Sequence, residues 1–177
     1  MMPERISPPA LCNMKSPHSI KYPIGITRRI VVNTVREDVC AYNTDTPERM
    51  YQFWQEVIAK QPDYESDKEC VVVVMTNTRL RPYAWHRVSV GTVSECSAHP
   101  REILRPVLLA GAHSFAMMHN HPSGDPSPSR ADENTTRRIQ EAANLVEVRF
   151  LDHVVIGQPV TYGRQPYYSF REAGFIG

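Results

Sequence analysis

Short apolar segments alternate with longer amphipathic ones along most of the chain. A continuous apolar run at residues 69–75 predicts a strand that is buried on both faces. Other apolar or loosely alternating stretches predict further strands, at residues 26–35, 80–90, 114–119, 148–156 and 167–170. Within the second of these, Pro82 indicates an edge position or a bulge, because proline cannot donate a ladder hydrogen bond.

Three segments carry apolar residues at helical spacing. The first begins at Thr46-Pro47, because threonine is a favourable N-cap and proline suits the first helical position. Its apolar stripe is Met50, Phe53, Trp54, Val57 and Ile58. The second begins at His99-Pro100, and its buried face is predicted to be Ile103, Leu104, Val107 and Leu108. Pro106 predicts a kink or a short first segment there. The third, at 129–146, has on one face Thr135, Ile139, Ala142, Ala143 and Val146.

Because strands and helices alternate, the sequence predicts an α/β domain in which helices cover both faces of a sheet. The chain has 177 residues, which is enough for one domain with a substantial core and a short extension. Residues 1–22 are rich in proline and polar residues and show no hydrophobic period, so they predict a flexible N-terminal arm. The domain is then expected to span residues 23–177.

Composition excludes several classes of function. The net charge is +1, without the basic excess that is typical of a nucleic-acid binder, so we expect weak DNA affinity. No apolar run approaches the ~20 residues that a membrane helix needs, and no secretory signal is visible. The four cysteines are widely spaced and form no metal or redox motif: Cys12, Cys40, Cys70 and Cys96. They predict reduced thiols in a cytoplasmic protein.

Residues 117–132, MMHNHPSGDPSPSRAD, contain the residues best suited to chemistry. His119 and His121 would project from the same face of a strand, and Pro122 favours the extended conformation that this requires. A helix that starts at Ser127 or Ser129 would place Asp132 in its first turn, within reach of both imidazoles. Two histidines and a carboxylate can hold a zinc-like ion and leave a fourth position to water, which is typical of a catalytic site.

Simpler explanations exist for the same residues. Paired histidines at a strand end are often only polar loop residues, and Ser129-x-x-Asp132 also fits a helix capping box. His153 lies in an apolar strand, where it is either a satisfied core histidine or a residue that supports a metal ligand. Asn120 and Ser123 are candidates only for shaping the loop.

The stretch resembles the JAMM motif of JAB/MPN domains, and in particular its RadC-type members. That motif reads His-x-His-Pro, six further residues, Ser, two residues and Asp, and all five positions match here. Segments at 91–92, 99–102, 151–153 and 156–157 also resemble this domain, so the resemblance covers roughly residues 69–174. It implies a cytidine-deaminase-like, three-layer α-β-α fold with a central mixed sheet. Deaminase chemistry is not implied, because H-x-E and P-C-x-x-C are both missing.

The resemblance also implies roles for individual residues. His119, His121 and Asp132 map onto the ligands of one catalytic Zn²⁺. Glu69 maps onto the glutamate that hydrogen-bonds the metal-bound water, whereas the simpler explanation is a solvated strand cap. Ser129 maps onto the serine that helps to hold the tetrahedral oxyanion, although an N-cap hydroxyl could hardly serve both roles at once.

The predicted function is therefore a zinc-dependent hydrolase of the JAMM type that cleaves a peptide or isopeptide bond. Its partner would be a peptide or protein substrate, such as the ubiquitin-like tails on which related enzymes act. Two alternatives are a RadC-like accessory protein in DNA repair or mobile-element biology and a non-catalytic MPN interaction module. We find no N-terminal helix-hairpin-helix for DNA binding, and the intact ligand set argues against a non-catalytic module.

Overall fold

The structure is a computed structural model that describes residues 43–91, 99–159 and 165–177, and the backbone of three two-residue strands. The chain divides into two units, Met1–Ile30 and Val31–Gly177. In the first unit, β1 (Ile20–Lys21) pairs antiparallel with β2 (Thr27–Arg28). Strand β1 falls at the end of the predicted arm, and the rest of that arm lies outside the described residues.

The second unit contains a six-stranded sheet with the order β3-β5-β4-β6-β7-β8. Its strands are β3 (Asn33–Thr34), β4 (Cys70–Thr76), β5 (Pro82–Val90), β6 (Ser114–Asn120), β7 (Arg149–Ile156) and β8 (Tyr167–Ser169). Strands β6 and β7 are parallel and the other neighbours are antiparallel, so the sheet is mixed. The helices are α1 (Pro47–Phe53), which continues as a π-helical turn (Trp54–Ile58), α2 (Pro100–Leu109) and α3 (Arg130–Leu145). The predicted α/β class is confirmed.

The central strands of the sheet are buried on both faces, as strand β4 shows most clearly. All seven of its residues are buried. Because side chains alternate along a strand, Val72 and Val74 pack in the apolar cluster of α1, while Val71 and Val73 pack in that of α2 and α3. The stripe predicted for the first helix is buried throughout, although its second half is π-helical rather than α-helical. No helix among the described residues is long and apolar enough to cross a membrane.

Some local predictions were wrong and one was confirmed. Helix α2 runs through Pro106, whose ring is buried with the apolar face of the helix, so the short first segment does not form, and the alternative of a kink stays a prediction. Leu108 was predicted to lie on the buried face of this helix but is 50% exposed, because the apolar face that packs inward is Ile103, Leu104 and Val107. In α3 the buried residue of the first turns is Thr136 rather than Thr135, and Val146 is 38% exposed. The bulge predicted at Pro82 is present, because the β4–β5 register shifts where Pro82 pairs with Thr76.

Candidate metal centre

His119 and His121 lie where strand β6 ends. His119 is the sixth of the seven residues in β6 and is 2% exposed. The amide of His121 donates to Ile156 O at 2.9 Å, which extends the pairing with β7 by one residue and keeps the backbone extended. Both imidazoles therefore project from one face, and their Nε2 atoms are 3.1 Å apart. The same-face prediction for this pair is confirmed.

The first turn of α3 brings Asp132 to the same point. Its Oδ1 is 3.4 Å from His119 Nε2, and its Oδ2 is 3.7 Å from His121 Nε2. Among the described residues this is the one group of three or more side chains that could hold a metal ion, with ligand atoms all within 4.8 Å of one another. Ligands about 2.1 Å from a tetrahedral zinc are about 3.4 Å apart. The three side chains therefore fit zinc in both donor type and spacing.

Ser129 is the N-cap of α3 and holds the carboxylate of Asp132. Its hydroxyl and its backbone N–H donate to Asp132 Oδ2 at 2.6 and 2.8 Å, and Asp132 N donates back to Ser129 Oγ at 3.2 Å. The capping box expected from the sequence is thus present. Since Oδ2 takes both hydrogen bonds, Oδ1 is the oxygen that remains available to an ion. The oxyanion role of Ser129 stays a prediction.

Electrostatics favour the protonation states that metal binding requires at His119 and Asp132, whereas at His121 they favour the proton that a metal would have to displace. Burial lowers the pKa of His119 to about 4, so this imidazole is neutral at physiological pH. Burial alone would raise the pKa of Asp132, but hydrogen bonds from His121 and Ser129 and the nearby His119 hold it below its ordinary value. For His121, burial is outweighed by Asp132 and by the Asp125 carbonyl, which raise its pKa. The site therefore contains a carboxylate and a neutral imidazole before any ion binds.

Glu69 lies at the edge of this site and is not one of the three converging ligands. It directly precedes β4 and is two residues before Val71, which pairs with His119, so it lies on the same face of the sheet. Partial burial raises the pKa of Glu69, while His121 lowers it and Asp132 raises it further. A carboxylate that is close to the ligands and has an elevated pKa is suited to accept a proton from water.

Asn120 holds the backbone on both sides of Glu69. Its Oδ1 accepts from Cys70 N at 2.9 Å, and its Nδ2 donates to Lys68 O at 3.0 Å. The side chain thereby continues the β4–β6 pairing past the last backbone pair, Val71 with His119. The sequence predicted only a loop-shaping role for Asn120. Its position between the two histidines indicates a role at the site, but the backbone groups that it hydrogen-bonds depend on the register of β4 and β6.

Sequence reasoning also missed Thr136 and left His153 undecided. His153 Nε2 lies 2.8 Å from His119 Nδ1, and His153 Nδ1 lies 2.7 Å from Thr136 Oγ1. Both side chains are buried among apolar groups. The available signal was the four-residue spacing from Asp132 to Thr136, which places both on one side of a helix.

The loop after His121 is held close to the end of β7. The carbonyl of Asp125 lies 2.7 Å from His121 Nδ1, and Gln158 N donates to Gly124 O at 2.9 Å. Gly157 allows this approach, because a Cβ there would lie 2.5 Å from Gly124 O and 2.8 Å from Pro126 Cδ. The loop therefore needs glycine at position 157.

We expect Gly157→Ala to displace this loop and weaken metal binding at His121. Overpacking of this kind costs about 1–3 kcal/mol of folding free energy. The measurement is zinc affinity by chelator competition together with the free energy of unfolding. Gly177→Ala is the matched control, because nothing lies within 4 Å of a Cβ there. Unchanged zinc affinity in Gly157→Ala would contradict the assigned role of the loop.

A cavity of about 180 Å³ lies beside the site, and His121 forms part of its wall. Most of the wall comes from the α1 side of the sheet and is apolar or aromatic: Trp54, Ala59, Tyr64, Ile156 and Pro159. The rest of the wall includes Ser66, Gly157 and three residues with side-chain amides, Gln55, Asn120 and Gln158. The indole of Trp54 and the ring of Tyr64 meet edge to face, with centroids 6.0 Å apart.

The fold and the converging side chains define an α/β domain with a candidate metal centre at one end of its sheet. The profile of the RadC-like JAB domain matches residues 44–175, and the chain belongs to this family. The resemblance seen in the sequence is therefore confirmed.

Curated relatives with similar sequences are named UPF0758 proteins. One from Caldanaerobacter subterraneus subsp. tengcongensis is 33% identical over 153 residues, which cover 85% of this chain and 62% of the relative. One from Rubrobacter xylanophilus is 39% identical over 110 residues, covering 62% and 45%. A third, from Geobacter sulfurreducens, is 32% identical over 158 residues, covering 89% and 63%. The chain thus spans less than two thirds of the length of these relatives.

Proposed function

We propose that this domain is a zinc-dependent hydrolase that cleaves a peptide or isopeptide bond. The observation that carries the proposal is the convergence of the His119, His121 and Asp132 side chains at one end of the sheet, with the carboxylate of Glu69 beside them. Three protein ligands leave one coordination position for water or substrate, which is typical of catalytic rather than structural zinc. Zinc bound there would polarise the scissile carbonyl and lower the pKa of the attacking water.

Side chains of the protein then transfer the proton from the attacking water to the leaving group. Glu69 accepts it from the attacking water and donates it to the leaving amine, which requires a carboxyl group whose pKa is above the ordinary value. The Asn120 amide keeps the backbone of Glu69 at a constant distance from β6, on which the histidines lie. Ser129 orients Asp132 by capping α3. Each of these residues either transfers the proton or fixes the geometry in which it is transferred.

The cavity beside His121 is proposed to receive a substrate side chain next to the scissile bond. Its aromatic and aliphatic wall favours an apolar side chain, and the amides at its rim favour a peptide backbone. A peptide or protein is therefore the proposed partner, with the carboxyl-terminal tail of a ubiquitin-like protein as one candidate.

Ala59→Leu should fill part of this cavity and raise KM for peptide substrates by roughly 10-fold, because a misfit of a few methyl groups costs about 1–3 kcal/mol. Zinc content should not change, since Ala59 is not one of the candidate metal ligands. Ala173→Leu, at an exposed position, is the matched control. Equal KM values for both variants and the unsubstituted protein would exclude the cavity as a substrate subsite.

The proposal is tested on protein purified without added zinc. Metal analysis comes first, and a hydrolysis screen on linear and branched amides follows, including isopeptide-linked tails of ubiquitin-like proteins. We expect about one zinc per chain and cleavage that stops when a chelator removes it. Full zinc loading with no cleavage of any amide class would refute the hydrolase function and leave the metal site standing.

A further inference from the structure

Hydrogen bonds run without a break from the backbone of α3 to the imidazole of His119. Thr136 Oγ1 donates to the carbonyl of Asp132, one turn earlier in the helix, at 2.7 Å. The same oxygen lies 2.7 Å from His153 Nδ1. His153 Nε2 in turn lies 2.8 Å from His119 Nδ1. All three side chains are buried, so these contacts are shielded from exchange with bulk water.

The backbone carbonyl of Asp132, at one end of this series of hydrogen bonds, fixes which atom donates in each of them. A carbonyl oxygen can only accept, so the single hydroxyl proton of Thr136 is committed to Asp132 O. Thr136 Oγ1 must then accept from His153, which places a proton on His153 Nδ1. In a neutral imidazole the other nitrogen is an acceptor, so His153 Nε2 accepts from His119 Nδ1–H. His119 is left with an unprotonated Nε2.

That nitrogen is the atom that meets His121 and Asp132. For His121 a different carbonyl gives the same result, because Asp125 O lies 2.7 Å from its Nδ1 and must accept a proton from it. When His121 gives up the Nε2 proton that it shares with Asp132, both imidazoles direct an Nε2 lone pair to one point, with the Asp132 carboxylate beside them. In that state three electron-rich atoms form a site for a cation.

We propose that His153 and Thr136 are positioning residues that hold His119 in the metal-binding tautomer. This inference rests on the zinc site of the proposed function, though not on the hydrolysis itself. We call this series of hydrogen bonds, from the Asp132 carbonyl through Thr136 and His153 to His119, the relay. The relay also links two ligands, because it ends on the backbone of Asp132, the residue that supplies the carboxylate. Hydrogen-bonded partners of this kind typically change metal affinity 10- to 100-fold when they are removed.

The surroundings of His153 hold its ring in a fixed plane and on the side of the sheet where His119 lies. Its ring stacks on Phe170 with centroids 4.6 Å apart and an angle of 6° between the planes. Strand pairing sets it opposite Met117 in β6, which puts the ring on the same face of the sheet as His119.

The direct test is the tautomer of His119, read from long-range ¹H–¹⁵N spectra of the full chain with and without zinc. We expect the proton on Nδ1 in both states. Thr136→Val keeps the side-chain shape but removes the acceptor for His153, so it should produce a mixture of tautomers and weaken zinc binding 10- to 100-fold. Thr136→Ser retains the hydroxyl and should restore both. Thr135→Val, one residue away and outside the relay, is the control.

Two results would overturn the relay: a proton on Nε2 of His119 in the unsubstituted zinc-free protein, or a Thr136→Val variant with unchanged tautomer and zinc affinity. If Thr136→Val fails to fold, the spectrum of the unsubstituted protein and the Thr136→Ser variant still decide. Failure of the hydrolase proposal is distinguishable, because the tautomer and the affinity are measured without substrate. If the His119 tautomer and the zinc affinity are as expected in a protein that cleaves no amide, the relay is supported and only the hydrolase function fails.

Discussion

His121→Ala will abolish stoichiometric zinc binding while leaving the fold in place. Zinc in four-ligand peptide sites is bound with about 10–16 kcal/mol, or roughly 3 kcal/mol per ligand, so losing one ligand weakens binding by at least about 100-fold. His121 lies after the end of β6 and is partly exposed, so its side chain contributes little to the core. The measurement is zinc per chain after purification without added metal, with circular dichroism to verify the fold.

His113→Ala is the matched control, because His113 is an exposed histidine immediately before the same strand. It should bind zinc like the unsubstituted protein. Zinc occupancy should also decrease as the pH is lowered, because protons compete with zinc for His121. The pKa of His121 is raised, so the loss should begin above its ordinary value of 6.5. His119, with a pKa of about 4, competes only in more acidic solution. Unchanged zinc content in His121→Ala would remove His121 from the ligand set.

Glu69→Gln will retain zinc and lose turnover. Glutamine has nearly the same shape and can still hydrogen-bond water, but it cannot accept the proton. A positioned general base typically contributes 10²–10⁴-fold, so hydrolysis of an established amide substrate should fall by about that factor. The comparison requires zinc stoichiometry and kcat on the same samples.

Two further variants isolate the role of this carboxylate. Glu65→Gln removes a nearby exposed carboxylate that pairs with Lys68, and it should retain both zinc and activity. Asp132→Asn should lose zinc itself, because it weakens a ligand. If Glu69→Gln lost zinc as fully as Asp132→Asn, Glu69 would be a ligand or a structural residue. If it kept full activity, another base would have to exist. The sequence offers Glu95 and Glu102 as the nearest carboxylates before the motif. Glu95 lies outside the described residues, and Glu102 pairs with Arg105 at 2.6 Å on the surface of α2, which makes it a poor candidate.

Local patterns were sufficient to predict most of the fold. The apolar run at 69–75 is β4, shifted by one residue, and the capping signal at Thr46-Pro47 starts α1 as expected. These features depend on neighbours within a few positions, so a single sequence contains them. The π-helical turn after Phe53 was not foreseen, because its apolar spacing is equally compatible with an α-helix. The uninterrupted path of α2 through Pro106 depends on packing against the sheet.

The sequence by itself determined the candidate metal-binding stretch, because its spacing already places two histidines on one face of a strand and a carboxylate at a helix start. Only the tertiary structure decided what surrounds it. The antiparallel register of β4 and β6 brings Glu69 and Asn120 to the site, and the parallel register of β6 and β7 brings His153 beneath His119. The strand register and the rotation of α3 bring into contact residues that are 17 to 52 positions apart in the chain. No local pattern encodes those distances, so the partners that orient the ligands were accessible only from the folded chain.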